Sequence, residues 1–372
     1  MAILELQQID ELDSFETGWN QLLSRSLDNH PFLTYEWLTL WWKHFGNGQE
    51  LKLFTSESRG KVSLSVPVMY SKHRVFGSER CKVSCAASPD SDYQVFLVTN
   101  LQDAAINIDQ LVENIMEDSN ADCIVFKDVP EDSVTARLLE SVSRERFVVR
   151  CSVSDLCPYI PLPDSYDTYL QGFSSKMRRT LKVPEKQALK DYRVDFVRYD
   201  KIGTVKEAMN VFFRLHQKRE GAKGDYGVFS NQLYKNFHME VANAFAENGW
   251  LALFFLTFND KPVSSVYAYE YNGKLYAYLS GFDTEYSHYR PGYLVIKNLI
   301  QYAIRKNLRE FDFLRGEEQY KMRWRTTIRK NYEYRFVRRG LKSKLYNWGI
   351  NSPYCSALYG LRSLPMRFLQ KL

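Results

Sequence analysis

The chain has 372 residues, of which 45% are hydrophobic and 25% are charged, and its formal net charge is +6. A chain of this length accommodates two domains with ordinary hydrophobic cores. No segment approaches the roughly 20 consecutive apolar residues that a transmembrane helix needs. The first residues contain no basic segment before an apolar one, as a secretory signal would. We therefore expect a cytoplasmic protein.

The charged residues and the cysteines exclude further classes. Residues 319–372 contain thirteen Lys or Arg and a single acidic residue, Glu333, so the positive charge belongs to this end of the chain. The six cysteines form no Cys-x-x-Cys pair and have no histidines at metal-ligand spacing, so we expect reduced thiols and no metal. The sequence contains neither a phosphate-binding loop of the nucleoside-triphosphatase type nor the Gly-x-Ser-x-Gly motif of serine hydrolases.

The first half of the chain predicts helices, then strands, then helices alternating with strands. Aromatic residues at helical spacing predict a helix around Trp19 and a second one from Trp37 to Phe45, with Thr34 as its N-cap. Strands are predicted over 51–55, 62–70, 95–98 and 124–126, and helices over 106–116 and 134–142.

The second half repeats this order from about residue 156. Helices are predicted over 166–173, 176–190, 205–220 and 231–248, and Pro184 is expected to interrupt or bend the second of them. Three strands follow over 251–258, 263–271 and 274–282, and Asn272-Gly273 is a strong hairpin signal between the last two. A helix over 293–307 and a strand over 311–314 complete the pattern.

A proline-glycine turn precedes that last helix. Arg290, Pro291 and Gly292 follow the third strand, and a glycine at a strand-to-helix turn lets backbone N–H groups converge on an anion. The turn therefore predicts a site for the diphosphate of a donor molecule. The alternative is a helix entry that merely needs the flexibility of glycine.

The same region resembles a known family. It is similar to the GCN5-related N-acetyltransferase (GNAT) superfamily, in the branch with the CelD-like exopolysaccharide proteins and the Fem-type peptidyl transferases. The matching residues are Leu279-Ser-Gly-Phe-Asp283, Tyr286, Pro291-Gly292, Asp312-Phe-Leu-Arg-Gly316 and Tyr320-Lys321, together with Phe32-Leu-Thr-Tyr-Glu-Trp-Leu38 and Trp41-Trp42. Unlike the superfamily's usual pyrophosphate loop, which has several glycines, this turn has one glycine and an Arg-Pro pair.

The resemblance implies the fold class and the domain organisation. We expect an α/β (α+β) protein of two tandem GNAT-like domains, each a mixed, mostly antiparallel sheet flanked by helices. Residues 1–155 would be a degenerate N-terminal domain that forms a wall of the acceptor site, because they lack the Pro-Gly turn. Residues 156–340 would be the catalytic domain, and residues 341–372 a basic, aromatic tail.

Several charged residues are candidates for chemistry in that domain. The resemblance assigns Lys321 to the reacting carbonyl, where an ammonium stabilises negative charge on oxygen. Arg315, with Gly316, is a candidate for binding donor phosphate. Asp283 and Asp312 are candidate bases for the attacking amine, and Tyr286 is a candidate proton donor to the leaving thiolate. Solvated charges, structural ion pairs and simple packing are the alternatives for these residues.

Other residues are candidates for binding the acceptor. Lys176, Arg178 and Arg179 open a helix and would meet an anionic acceptor such as a sugar nucleotide or a lipid diphosphate, unless they form a solvated face. Glu220 would orient the amine, and Tyr320 lies beside Lys321.

The resemblance, together with these residues, implies an acyl-CoA-dependent N-acyltransferase in which the amine attacks directly, without a covalent intermediate. The resemblance also implies an acceptor in exopolysaccharide or cell-envelope synthesis, an amino sugar on a nucleotide or lipid carrier. One alternative is Fem-type transfer from aminoacyl-tRNA, and another is a non-catalytic scaffold of a polysaccharide synthase. The tail, which has no acidic residue, predicts contact with an anionic membrane surface. Packing of the tail on the second domain is the alternative.

Overall fold

The computed structural model describes residues 2–6, 16–58, 60–75, 78–118, 121–199 and 202–339. The described chain divides into two compact units. Unit 1 contains the residues up to Leu156 and the chain from Arg329, and unit 2 runs from Cys157 to Ile328. The predicted tail over 341–372 lies outside the described residues.

Unit 1 is built around a mixed sheet. Its elements are β1 (Ala2–Leu6), α1 (Glu16–Arg25), α2 (Tyr35–Phe45), β2 (Glu50–Ser58), β3 (Lys61–Val75), β4 (Ser78–Cys85), β5 (Leu97–Val98), α3 (Leu101–Asp118), β6 (Cys123–Pro130), α4 (Val134–Ser141) and the first part of β7 (Phe147–Pro161), with β13 (Thr327–Arg338) returning from unit 2. The strand order is β1-β2-β3-β4-β6-β13-β7, and β5 pairs with β3. The pairing of β4 with β6 is parallel, as expected when a helix connects the two strands.

Unit 2 also contains a mixed set of paired strands. Its elements are the end of β7, α5 (Tyr166–Gln171), α6 (Ser175–Asp191), β8 (Val194–Arg198), α7 (Val205–Gly221), α8 (Gln232–Glu247), β9 (Leu251–Phe258), β10 (Lys261–Tyr271), β11 (Lys274–Phe282), α9 (Pro291–Arg305), β12 (Glu310–Asp312) and α10 (Gln319–Met322). The strand order is β7-β12-β11-β10-β9-β8, and β11 and β12 are parallel.

Helices cover both faces of the sheet of unit 2, and side chains that alternate along each strand decide which helix they meet. On β10, Val266 and Ala268 share a core with α6 and α9. Tyr267 and Tyr269 point the other way, where Tyr267 meets Phe212 of α7 and Tyr269 meets Phe245 of α8. Because both faces are covered, β9 is buried along its whole length.

The predicted fold class is confirmed, since each unit is a mixed, mostly antiparallel sheet flanked by helices. The strands predicted over 251–258 and 274–282 have those bounds in the structure. Pro184 was predicted to interrupt or bend its helix; it does not interrupt α6, which continues as one helix through that residue, and a bend there stays a prediction. Strands β1, β4, β8 and β13 were not predicted.

Among the described residues, no helix combines the length and the apolar character that crossing a bilayer requires.

Candidate active site of unit 2

The two parallel strands of unit 2 separate after a short paired stretch. Lys274, Leu275 and Tyr276 of β11 pair with residues 310–312 of β12. After Asp312 the chain turns away, since Phe313 N–H donates to the carbonyl of Pro158 at 2.9 Å. Strand β11 continues to Phe282. Its edge beyond Tyr276 therefore has no partner strand on the β12 side among the described residues.

The backbone direction shows which groups face this open edge. The N–H of Asp283 donates to Val263 of β10 at 2.8 Å, and the Ser264 hydroxyl donates to the carbonyl of Gly281 at 3.1 Å. Because successive residues of a strand point their backbone groups to opposite sides, Ser280 and Phe282 face away from β10. The register of β10 and β11 shifts at Tyr278, so a β-bulge lies close to the point where β12 ends.

The last turn of α7 forms one wall of this opening. A Cβ atom on Gly281 would lie 2.5 Å from the backbone carbonyl carbon of Leu215, so only glycine lets α7 approach β11 this closely. The approach brings Arg219 to Ser280, where its Nη1 donates to the carbonyl and to the hydroxyl, both at 3.1 Å. Glu220 accepts hydrogen bonds from Lys223 and lies 3.6 Å from Arg219 Nη1.

The segment after β12 brings Tyr320 to the same opening. Leu314 and Gly316 have positive φ angles of 58° and 112°, which turn the chain sharply. The buried ammonium of Lys321 then donates to the carbonyl of Arg315 at 2.6 Å and to Glu318 at 2.8 Å. The guanidinium of Arg219 lies 6.0 Å from the Tyr320 ring centroid. These two hydrogen bonds of Lys321 therefore stabilise the turn formed by residues 315–321.

The pKa values of two ionisable groups in the segment after β12, Glu318 and Tyr320, are shifted from their ordinary values. Burial raises the pKa of the Tyr320 phenol. Burial also acts to raise the pKa of Glu318, but the charge and the hydrogen bond of Lys321 outweigh it and lower that pKa overall. Both effects favour a neutral phenol and an ionised carboxylate at neutral pH.

The start of α9 differs from the predicted strand-turn-helix. A 3₁₀ helix, Thr284–Tyr289, lies between β11 and α9, and Arg290 takes the left-handed conformation with φ 52°. Pro291 is the first helical residue and Gly292 the second. A Cβ on Gly292 would lie 3.6 Å from the Phe282 ring, an ordinary contact. The conformation therefore does not require glycine at this position, which speaks against the alternative that the helix entry merely needs glycine flexibility. The helix begins beside Phe282.

Asp283 and Tyr286 form part of a charged surface cluster. Lys218 donates to Asp283 at 2.9 Å, and Asp283 also accepts the N–H of Glu285. Burial raises the pKa of Asp283, but these hydrogen bonds and the nearby ammonium groups lower it overall. A carboxylate with a lowered pKa is a weak base near pH 7. Tyr286 packs on Phe258 of β9 and accepts a hydrogen bond from Lys261, so it lies at the ends of β9 and β10 rather than along the open edge.

Asp312 is fully buried at the end of β12, where its Oδ1 accepts the N–H of Leu314 at 2.7 Å. This hydrogen bond stabilises the turn that separates β12 from β11.

The predicted acceptor residues Lys176 and Arg179 are exposed on the first turns of α6, and Arg178 is half-buried there. The structure thus brings Glu220, Arg315, Gly316, Tyr320 and Lys321 to the opening.

Arg219, Ser280 and Glu318 were not predicted as site residues. A glycine inside a strand often marks a close backbone approach, so Gly281 within Leu279-Ser-Gly-Phe-Asp283 was the available signal. It indicates that an element crosses β11 at this point, but it does not identify α7 or Arg219.

Unit 1 has a corresponding pair of parallel strands, but its own chain fills the gap. Residues 86–96 follow β4 and are mostly buried, and Gln94 N–H donates to the carbonyl of Asp128 on β6 at 2.9 Å. Asn100 caps the following helix, since its Oδ1 accepts the N–H groups of Gln102 and Asp103. Arg290, the N-cap residue of α9, makes no such side-chain hydrogen bond. Within the described residues, the open strand edge and the uncapped start of the helix that follows it are therefore found in unit 2.

Across the described ranges, no group of three or more His, Cys, Asp or Glu side chains could hold a metal ion.

Comparisons with known proteins identify this arrangement. A family model described as an acetyltransferase (GNAT) domain matches residues 175–322. The matched segment is therefore similar to the acetyltransferase domains of the GNAT superfamily. It is an acyltransferase domain, and it contains the open edge of β11. No curated protein matched the chain.

Solved structures extend the likeness of fold to most of the chain. FemX is 14% identical with a TM-score of 0.61, and the match covers 94% of this chain and 99% of FemX. A conserved protein of unknown function from Bacteroides thetaiotaomicron is 11% identical with a TM-score of 0.56, covering 91% and 100%. L-PGS from Bacillus licheniformis is 10% identical with a TM-score of 0.53, covering 89% and 94%. At these identities the matches show the fold alone.

Proposed function

We propose that unit 2 transfers an acyl group from acyl-CoA to an amine. The observation that carries this proposal is the open edge of β11 between its β-bulge and Phe282. A strand edge with free backbone groups binds an extended chain of amide groups, as β-augmentation does in peptide recognition. The pantetheine arm of coenzyme A is such a chain. Its diphosphate would lie at the start of α9, beside Phe282, where the helix dipole favours an anion.

The reaction is a direct attack. The amine nitrogen forms a bond to the thioester carbonyl carbon, the carbon–sulfur bond breaks, and the proton lost by the nitrogen ends on the thiolate. Lys321 is a buried cation on the segment that carries Tyr320. Among the described residues its ammonium donates two hydrogen bonds, and its third N–H would donate to a developing oxyanion.

The acceptor proposed from the family resemblance is an amino sugar on a nucleotide or lipid carrier in exopolysaccharide or cell-envelope synthesis. Glu220, at the end of α7, is the carboxylate nearest to Arg219 and would orient the amine. The exposed cations Lys176 and Arg179 would contact the phosphates of the carrier.

A second candidate is transfer from aminoacyl-tRNA. The exposed basic side chains of α6 favour it, because such a surface binds nucleic-acid phosphates. Filter binding of tRNA at increasing salt tests this function, and an affinity that falls steeply with salt supports it.

A thermal-shift assay with a panel of acyl-CoAs tests the main proposal. A ligand at 100 times its Kd stabilises the native state by about 2.7 kcal/mol, which gives a readily measured shift. We expect a shift in the wild-type protein and in Gly292→Ala, but none in Gly292→Glu, which adds bulk and like charge where the diphosphate would bind. Binding of tRNA without any acyl-CoA would favour the second candidate, and binding of neither would favour a scaffold.

The basic tail is proposed to bring this enzyme to an anionic membrane surface. Residues 341–372 combine basic with aromatic and aliphatic residues, and each cation near such a surface contributes about 1 kcal/mol. Flotation with anionic and neutral vesicles, on the full chain and on a chain that ends at Gly340, tests it. Equal recovery of both proteins with anionic vesicles would eliminate the membrane role.

A further inference from the structure

The open edge of β11 has a side chain of the protein itself at its centre. Ser280 is one of the two residues whose backbone groups face that edge, and its carbonyl accepts a hydrogen bond from Arg219 Nη1 at 3.1 Å. The same nitrogen donates to the Ser280 hydroxyl. The guanidinium therefore lies where the amide N–H of a ligand paired with this edge would lie.

Arg219 is held there by few contacts. Its Nε and Nη2 groups have no partner among the described residues, and its side chain is 18% exposed. The Tyr320 ring provides a flat surface 6.0 Å from the guanidinium carbon. Glu220 lies 3.6 Å from Nη1, which is too far for a hydrogen bond but close enough for a charged pair. A small rotation would thus exchange the Ser280 carbonyl for the Glu220 carboxylate.

We propose that Arg219 is a gate on the donor edge, and this proposal rests on the function proposed above. The guanidinium occupies the Ser280 carbonyl until the pantetheine arm pairs with β11. It then moves to Glu220, with which it forms a charge-assisted hydrogen bond. The donor that opens the gate must carry an amide N–H to replace the one lost at Ser280, and the pantetheine arm supplies such a group whatever acyl chain it carries.

The movement also links the donor to the acceptor side. Glu220 accepts hydrogen bonds from Lys223, and the arrival of Arg219 adds a second cation to the same carboxylate. Donor binding would therefore fix the orientation of Glu220 before the amine arrives.

Coenzyme A and acetyl-CoA are the probes for the test, because free coenzyme A contains the pantetheine amides without any acyl group. Their dissociation constants are measured by calorimetry for the wild type, Arg219→Ala and Arg219→Lys. The matched control is Arg214→Ala, which removes an exposed cation from the same helix. Removal of a competing hydrogen bond from a charged group should tighten binding roughly tenfold or more in Arg219→Ala. Arg214→Ala should bind as the wild type does.

The direction of the change in donor affinity distinguishes a gate from other roles of Arg219. A side chain that contacts the donor, or that merely stabilises the fold, weakens binding when it is removed, whereas a gate strengthens it. Ser280→Ala, which removes only the hydroxyl contact of Arg219, should tighten binding by a smaller factor and serves if Arg219→Ala does not fold. Equal or weaker binding in the folded variants, with clear binding by the wild type, would overturn the gate alone. If no protein of the series binds either probe, the proposed function falls and the gate with it.

Discussion

The contact between α7 and β11 can be tested with one methyl group. In Gly281→Ala the new Cβ would lie 2.5 Å from the carbonyl carbon of Leu215 and 2.6 Å from the Cα of His216, where ordinary contacts are 3.4–4 Å. The atoms in the way belong to the backbone of a helix, so no side-chain rotation relieves the overlap. The helix has to move by about 1 Å, which exceeds what a close-packed interior absorbs without cost.

The expected cost follows from what α7 buries. Overpacking of this kind destabilises by about 1–3 kcal/mol. Each kcal/mol lowers the melting temperature of a domain of 150–250 residues by about 2–4 °C, so we expect a decrease of roughly 2–12 °C. Phe212, Phe213 and His216 are buried side chains of this helix, and Arg219 is on its last turn. The displacement should therefore also break the hydrogen bonds from Arg219 to Ser280.

Gly292→Ala is the matched control, since it adds the same methyl group 3.6 Å from the Phe282 ring at a helical position. It should leave the stability unchanged or raise it by about 0.5–1 kcal/mol, because glycine is a poor helix former. Differential scanning calorimetry measures both variants, and it resolves separate transitions if the two units unfold independently. Equal melting temperatures for the two alanine variants would refute the close approach of α7 to β11.

Two further predictions concern charged groups of unit 2. Lys321→Ala should lower turnover by roughly 10²–10³, in the range for the loss of one transition-state donor, while the donor Kd changes much less; unchanged turnover would make Lys321 purely structural. Asp283→Asn should destabilise at pH 7 but much less near pH 3. The folded pKa of Asp283 is below its ordinary value of 3.8, so the contribution of its bond with Lys218 is present above that value and is lost as the pH falls through the folded pKa. A destabilisation of equal size at both pH values would contradict this.

Elements with local signals could be predicted from the sequence. The strand Leu251–Phe258 is apolar throughout, as a strand buried on both faces must be, and Asn272-Gly273 supplies the positive φ angles that a tight hairpin needs. The motif residues Arg315, Gly316, Tyr320 and Lys321 lie within seven positions of one another, so their proximity in the structure follows from chain continuity.

Features that depend on distant pairings could not be predicted. The hydrogen bonds from Arg219 to Ser280 join residues 61 positions apart, and neither residue has a local pattern that indicates the other. The strand β13 has a basic, polar sequence, and it pairs with β6 about 200 positions earlier. Tertiary context overrides strand propensity in such cases. The 3₁₀ helix before α9 was missed because Asp283 caps it through a side-chain hydrogen bond, which resembles a simple turn in the sequence.

The two units show why the chemistry is assigned to the second one. Each contains a strand, a helix and a second strand parallel to the first, and the two parallel strands separate in both. In unit 1 the chain that follows β4 is buried, and Gln94 N–H donates to the carbonyl of Asp128 on β6. In unit 2 the chain that follows β11 instead forms a 3₁₀ helix, and among the described residues the side chain of Arg219 donates to the Ser280 carbonyl on that edge. The chain after β4 is continuous with that strand, so it cannot move away without disrupting the strand. A side chain such as that of Arg219 can move away by rotation about its own bonds. The same architecture thus gives a filled gap in one unit and a gap that a ligand can enter in the other.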